Sequence, residues 1–402
     1  MEKRSFVCGL YGARDSYQIP LALEEDGRLE LLLTDFYGPG SALAKFGIPR
    51  AKQPDSGLPE EKVRGSLWAS VLKKVAGTII RDLELRNHIP DRVLARRIAK
   101  YARRCDAHAI TYEPYAVKRP AGGFTGGRKQ IVFYYHPHVD TEDAIYRRDR
   151  ESFPDFYAGY PVTSSPWRRR TADAWKHADL VLCASSFTRR TLMSAGMPAD
   201  KCRVVPYGGG PAKAFEMGGQ RPPISERNGA LRLLFVGRGP MRKGLHHLLL
   251  AWKQARRHVD DRLTIVCQAD FPALRACAAD QKSVTWRDWA ASEELHGLYA
   301  QSDALVVPSL CEGFGYVYLE AMEYGCAVVG TSNSALPDIG GRDEGVFTVE
   351  AGEVGALAEL ISSASADPSM FRRSSRAAAE RSATFTWEKF RKGIVEATAG
   401  IG

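Results

Sequence analysis

The sequence predicts an α/β protein of two doubly wound domains that face each other across a cleft. Three observations predict it. Short apolar runs alternate with amphipathic, helix-like segments, and this series occurs twice. A stretch dense in glycine and proline, "YGGGPAKAFEMGGQRPPISERNGA" from Tyr207 to Ala230, separates the two series and reads as a linker. Near-continuous apolar strands separated by helices point to parallel sheets covered on both faces. The length of 402 residues favours two domains over one, and 44% hydrophobic with 26% charged residues is the composition of a globular chain.

In the first half, strands are expected at Phe6–Leu10, Leu29–Thr34, Ala107–Thr111, Ile131–Tyr135, Leu180–Ala184 and Arg203–Val205. In the second half they are expected at Leu231–Val236, Leu263–Cys267, Ser283–Trp286, Ala304–Val307, Ala327–Gly330 and Gly345–Val349. Between them, Pro59 to Arg104 carries Leu67, Trp68, Val71, Leu72, Val75 and Ile79 on one helical face, with Lys73, Lys74 and Arg81 among them. The run "RVLARRIAKYARR" that follows is a basic helix. Two readings fit these helices: ordinary packing on the first sheet, or a basic, apolar surface that docks on anionic lipid. In sheets of this kind, ligands sit beyond the carboxyl ends of the strands, so the site is expected in loops facing the interdomain gap.

The charge is uneven. Residues 1–210 hold 34 Lys and Arg against 24 Asp and Glu, and residues 211–402 hold 22 against 23. The basic excess therefore belongs to the first half, which suits an anionic membrane surface, a phosphorylated lipid or nucleic acid, or else a merely solubilising surface. No apolar run approaches the ~20 residues that span a bilayer. The opening "MEKRSFVCGLYGARD" reads as a strand entering a glycine turn and not as a signal peptide, so a cytoplasmic location is expected. Eight cysteines, at 8, 105, 183, 202, 267, 277, 311 and 326, form no Cys-x-x-Cys pair and lie mostly in apolar stretches, as reduced core cysteines do.

Four stretches carry chemistry. In "LRLLFVGRGPMRKGLHHLLLAW" a strand leads through Gly237-x-Gly239 into a helix, but Arg242 stands where a dinucleotide fingerprint has its third glycine. What remains is a turn with Arg238 and Lys243 before a helix N-terminus, which suits a diphosphate. In "VVPSLCEGFGYVYLEAMEYGCAVVG", Glu312 and Glu320 flank the turn Gly313-Phe314-Gly315, and a helix is expected to start near Tyr316. The glycines permit close backbone approach to a ligand, the helix start stabilises an anion, and the carboxylates suit vicinal hydroxyls at two parts of one ligand. Glu323, on the same helix, reads as a solvated surface residue. In "IVFYYHPHVD", His136 and His138 follow a strand; either a structural or a catalytic role fits. Gly9 and Gly12 flank the turn after the first strand, with ligand approach or packing as their use. No Asp-x-Asp occurs, so the usual carboxylate pair that holds a divalent ion on a nucleotide diphosphate is missing, and the protein's own cations are expected to do that work.

These motifs together resemble the retaining glycosyltransferases of family 4 (glycosyl transferases group 1), which have the GT-B fold. The residues that carry the resemblance are the Gly9–Gly12 turn, "ADLVLCASSF", "KCRVVPYGGG", "FVGR", "RKGLHHLLLAW", "SDALVVPSLCEGFGYVYLEAMEYGCAVVGT", "PDIGG", "EGVF" and the closing "FTWEKF". The resemblance is strong from about Ala178 to Glu350 and weak over residues 30–130. It implies an acceptor-binding domain over 1–212, a nucleotide-sugar-binding domain over 213–385 and a last helix, 386–402, that crosses back to the first domain. It implies that Arg238 and Lys243 hold the donor diphosphate, Glu312 the donor-sugar hydroxyls and Glu320 the ribose. The segment Gly313, Phe314, Gly315 and Tyr316, with Gly237 and Gly12, would complete the donor site. His136 best matches the family's histidine near the transferred sugar, with His138 the competing choice.

The implied reaction moves a hexose-like sugar from a nucleoside diphosphate to an acceptor hydroxyl with retained configuration, with no metal and no cofactor. A nucleotide-sugar epimerase of the same fold, a dinucleotide-dependent oxidoreductase and a non-catalytic basic membrane-binding protein are the alternatives. Nucleic acid is not expected as a partner; for the basic first half an anionic membrane surface and a merely solubilising role both stay open. Two features depart from the family pattern: Tyr207 in "VPYGGG", where many members have Asn, and the arginine-rich insert "WRRRTADAW".

Overall fold

The computed structural model of the chain describes residues 4–12, 14–35, 57–66, 83–118, 126–158, 160, 166–210, 230–269 and 271–401. The helical face from Leu67 to Ile79, with Lys73, Lys74 and Arg81, lies outside these residues, as does the linker over 211–229.

Two parallel sheets carry the fold. The first is built from β1 (Phe6–Gly9), β2 (Leu29–Leu33), β3 (Val63–Arg64), β4 (His108–Tyr112), β5 (Gln130–Tyr134), β6 (Leu180–Cys183) and β7 (Cys202–Val204), in the order β3-β2-β1-β4-β5-β6-β7. The second is built from β8 (Arg232–Val236), β9 (Arg262–Val266), β10 (Val284–Arg287), β11 (Ala304–Val306), β12 (Ala327–Thr331) and β13 (Val346–Val349), in the order β10-β9-β8-β11-β12-β13. Central strands such as β1, β5 and β12 are buried along their whole length, because helices cover both faces. Edge strand β10 alternates half-buried and exposed residues, as one protected face requires. The twelve strands expected from apolar runs are present within about two residues at either end. The thirteenth, β3, has two residues and no apolar run to announce it.

Both sheets reverse direction of winding at one point, between β1 and β4 in the first and between β8 and β11 in the second. A crevice opens beyond the strand ends at such a switch point. The loops there are Leu10–Tyr17 and Glu113–Lys118 in the first sheet, and Gly237–Gly244 and Val307–Gly315 in the second. Three of the four chemistry-bearing stretches of the sequence reach into these loops, at Gly12, at Gly237 to Lys243 and at Glu312 to Gly315; the fourth, with His136 and His138, follows β5.

Several contacts join the two halves. A Cβ on Gly313 would lie 1.9 Å from the Tyr135 carbonyl oxygen, so only glycine lets the two backbones meet. The Ser185 hydroxyl donates to the Gly313 carbonyl at 2.6 Å while its oxygen caps the helix Ser186–Ser194 by accepting from the Thr188 N–H. Tyr207 is buried, stacks on Tyr316 at 4.9 Å and packs against Phe133, Phe314, Trp387 and Phe390. The first residues of the expected linker are therefore packed structure, and Tyr207 fills the place of the usual asparagine with an aromatic hub. The last helix, Trp387–Ala399, packs on the helix Gln18–Glu25; Arg391 bonds Glu25 and Gln18, and Arg28 donates to the Thr398 carbonyl.

A further contact is ionic. Asp149, at the end of the helix Val139–Ser152, reaches the first turn of the helix Leu245–Gln254. Its carboxylate lies 2.8 Å from His246 Nε2 and 2.7 Å from His247 Nε2, and it accepts from the Tyr157 hydroxyl at 2.5 Å. All three charged or imidazole side chains are buried. Burial pushes the His246 imidazole down to about 4, more than Asp149 can raise it. Burial raises the Asp149 carboxyl, but the hydrogen bonds and fields of the two imidazoles hold it well below the usual carboxylate range. The cluster is thus an ionised carboxylate with the His246 and His247 rings and the Tyr157 hydroxyl gathered on it.

A histidine whose folded-state pKa lies below its unfolded value destabilises the fold on acidification, because the unfolded chain takes up the proton first. Stability is expected to fall as pH drops from 6.5 to about 4. His246→Gln, which removes the titrating group, flattens that fall; thermal midpoints of both proteins across this range check it, and parallel curves would refute it.

Candidate active site

The site begins with a carboxylate that is largely withdrawn from solvent, its side chain 12% exposed. β11 ends in Val307 and Pro308, and the loop after it is pinned on both sides: the Glu312 N–H donates to the Asn333 carbonyl at 2.8 Å, and the Leu310 N–H donates to the Arg242 carbonyl at 2.9 Å. The second bond ties this loop to the turn after β8. Glu312 Oε2 then lies 2.5 Å from Lys243 Nζ and 2.6 Å from Arg242 Nη1. Burial raises the Glu312 carboxyl, but the Lys243 and Arg242 cations outweigh it and hold it at about 2. Such a pair exists only because each partner offsets the desolvation of the other.

Lys243 is positioned by two glycines. Its buried stem packs under Gly237, whose Cβ would lie 3.2 Å from Lys243 Cγ. Gly244 has φ of 68° and caps the following helix; a Cβ there would lie 2.0 Å from the Pro308 carbonyl. Arg238, expected to share the work of Lys243, is exposed and makes no ion pair among the described residues. Arg242, the residue that breaks the dinucleotide fingerprint, is the one beside Lys243 on Glu312. Sequence spacing hides this, because a turn of left-handed glycines decides which neighbour points inward.

His136 enters from the other domain. Its Cα lies 3.4 Å from where a Gly313 Cβ would be, so it borders the Glu312 loop directly. Its pKa is held well below the ordinary histidine value, first by burial and then by the Arg168 and Arg242 cations, with Glu312 opposing. It is a neutral imidazole at physiological pH. His138 does other work: it caps the helix Val139–Ser152, with Nδ1 accepting from the Asp140 N–H at 3.4 Å and its own N–H donating to Thr191 Oγ1 at 2.9 Å.

The remaining expected residues divide. Gly315 has φ of 95° and caps the helix Tyr316–Glu323; a Cβ would strike the Tyr318 ring at 2.5 Å. Phe314 is buried against Tyr207 and packs the turn from beneath. Glu320 is exposed and accepts from the Tyr299 hydroxyl at 3.0 Å. Gly12 donates its N–H to Asp35 Oδ1 at 2.9 Å, so that amide is engaged within the protein. The close approach at Gly313 is to the backbone of the facing domain. Glu323 is not a solvated residue: it is buried and accepts from the Gly210 N–H at 2.6 Å, because the chain crossing between the domains runs over it.

Besides Arg242, sequence reasoning missed a group at the cleft. Asp15 accepts from Tyr112 at 2.6 Å in its own domain and from Tyr316 at 3.0 Å across the gap. Asp15, Ser16 and Tyr17 have φ of 49°, 49° and 60°, three consecutive non-glycine residues in the left-handed region. Such strain persists where surrounding contacts over-determine it. Beside them the Arg14 guanidinium lies 3.8 Å from the centre of the Tyr135 ring, next to His136. No local pattern marks a left-handed run without glycine. Among the described residues, one group of side chains fits a metal ion, Asp149 with His246 and His247, and its atoms contact one another directly.

Comparison with known proteins bears on this arrangement. The family described as Glycosyl transferases group 1 matches residues 230–367, and Glycosyltransferase Family 4 matches residues 55–208. The α-maltose-1-phosphate synthase of Mycolicibacterium smegmatis is 27% identical over 300 residues, which is 68% of this chain and 76% of that protein. The glycogen synthase of Mycobacterium tuberculosis is 30% identical over 247 residues, 58% of this chain and 55% of the synthase. Among solved structures, Anabaena HepE in complex with UDP and glucose superposes with a TM-score of 0.58 at 18% identity, covering 99% of this chain and all of that one. Among the described residues, no helix is long and apolar enough to cross a membrane.

Removing Glu312 strands two cations. Glu312→Ala is expected to lower the unfolding free energy by roughly 3–5 kcal/mol. The double variant with Lys243→Ala is expected to lose much less than the sum of the two single losses. Denaturant unfolding of the four proteins checks this, and additive losses would contradict the pairing.

Proposed function

The chain belongs to the group 1, family 4 glycosyltransferases and has their GT-B fold, and from that premise we propose that it moves a hexose-type sugar from a nucleoside diphosphate to an acceptor hydroxyl, with retention of configuration and without a metal ion. The observation that carries this reading is the placement of Lys243 and Arg242 on Glu312 Oε2, beside the neutral His136 of the facing domain. Two cations sit at the end of a glycine turn, and exposed Arg238 is within the same loop. That is the charge a leaving diphosphate needs, which is why the reading requires no divalent ion. The binding of UDP and glucose by HepE, a structural neighbour, supports the same donor class here.

In the apo site Glu312 neutralises Lys243 and Arg242. A bound diphosphate takes over part of that role, with Arg238 closing on it from solvent. Glu312 then turns its carboxylate to the sugar hydroxyls, and Glu320, steadied by Tyr299, takes the ribose. His136, uncharged, hydrogen-bonds a sugar hydroxyl without opposing the positive charge that develops at the anomeric carbon. The bond from that carbon to the phosphate oxygen breaks, and the acceptor oxygen bonds to it from the same face. The acceptor proton passes to the departing phosphate oxygen. Because negative charge on the diphosphate grows along this path, the cations stabilise the transition state more than the ground state. Closure of the cleft around Asp15 and Tyr316 excludes water and limits donor hydrolysis.

Lys243→Ala is expected to lower kcat by about a hundredfold or more, with the fold intact by circular dichroism. Near-normal turnover would remove the diphosphate assignment. Proton NMR of the product made from an α-linked donor should show an α linkage; a β linkage would overturn retention.

A further inference from the structure

A second concave site lies on the basic half. A cavity of about 700 Å³ runs between the helix Leu83–Arg104, the loop Glu113–Lys118 that follows β4, and the segment Pro166–His177. Its last wall is the arginine-rich insert "WRRRTADAW", which the donor site does not use. The insert's arginines divide. Arg168 and Arg169 turn to the buried carboxylates Glu142 and Asp143 and pair with them. Arg170 stays exposed at the cavity, facing the same space as Arg92, Arg96 and Lys118. These four cations have no ion-pair partner among the described residues. Asp91 and Asp173 also line the cavity, Asp173 paired with Lys176, so cations outnumber carboxylates there. Like charges in excess around a concavity focus a positive potential into it, which an anion relieves.

The floor of the cavity supplies an independent sign of a ligand. Glu113 is 7% exposed, lines the cavity, and has a buried Oε2 without a hydrogen-bond partner. Burial pushes its carboxyl up to about 8, against the pull of Arg168 and Arg14. At neutral pH it is a neutral group that donates to and accepts from a hydroxyl and adds no charge against an anion. Glu113 also marks the cavity's end nearest the cleft. It follows β4 directly after Tyr112, which holds Asp15, and Arg168 and Arg14 act on both Glu113 and His136.

We propose that this cavity binds a phosphate- or diphosphate-bearing acceptor, with Arg92, Arg96, Lys118 and Arg170 on the phosphate and Glu113 on a neighbouring hydroxyl. The proposal rests on the glycosyltransferase reading for calling the ligand an acceptor. The phosphate chemistry rests on the cavity alone. The same chemistry is offered by a soluble sugar phosphate and by a lipid-borne one.

The test is calorimetric titration of the whole chain with inorganic pyrophosphate. Two sites are expected. Arg96→Gln with Arg170→Gln, both exposed positions, should weaken one of them by about tenfold or more while the thermal midpoint holds. Lys243→Ala should remove the other. If the double arginine variant keeps both sites, or the wild type has one site that only Lys243→Ala removes, the proposal is overturned and the donor reading stands. If both sites survive Lys243→Ala and one is lost in the arginine variant, the donor assignment falls and this site stands. Glucose 1-phosphate competing for the arginine-dependent site supports a soluble acceptor. Competition only by phosphatidylcholine vesicles carrying a lipid diphosphate supports a lipid-borne one. Arginine-dependent binding to phosphatidylcholine–phosphatidylglycerol vesicles without any arginine-dependent pyrophosphate site makes the patch a membrane-docking face and overturns the acceptor cavity.

Discussion

A carboxylate taken out of water must have cations within reach, and the geometry of both domains serves that need at Glu312. Lys243 and Arg242 approach its Oε2 because Gly237 leaves room for the lysine stem and Gly244 lets the turn pass under Pro308. The next residue, Gly313, is where the facing domain's backbone arrives. The charged cluster and the domain contact are thus consecutive positions of one loop.

This adjacency bears on the proposed mechanism. Under that proposal the pair stores positive charge close to where a leaving group's charge would grow, with Glu312 as the counter-charge in the free protein. Preorganised charge in a water-poor cleft stabilises a transition state without rearranging solvent. Neutral His136 fits beside it, since an imidazolium there would compete with Lys243 for the same carboxylate. The Asp149 cluster and the Tyr207 hub hold the halves together on either side of the loop, one through hydrogen bonds to a buried carboxylate and one through aromatic packing.

The sheets were legible in the sequence because parallel strands covered on both faces are written as apolar runs, and twelve of these could be read directly. The two-residue β3 could not, since nothing in Glu60–Arg64 is apolar enough to mark it. Lys243 and Glu312 were legible because each lies in a loop after a strand at a switch point, and His136 because it directly follows the apolar run of β5. Arg242 was not, because its inward direction is set by a left-handed turn and a backbone bond to Leu310. Glu323 looked solvated because periodicity on its own helix says nothing about the chain that crosses it. Asp15 depends on a left-handed run that no residue type there favours. What local patterns missed is in each case set by a contact from a distant segment.

The most direct test of the account is a crystal structure with a nucleoside diphosphate bound. The account predicts Lys243 Nζ and Arg238 on the diphosphate oxygens, Glu320 on the ribose and Glu312 turned toward the space beside His136. A diphosphate bound elsewhere, with Lys243 still paired to Glu312 as in the free protein, would contradict it.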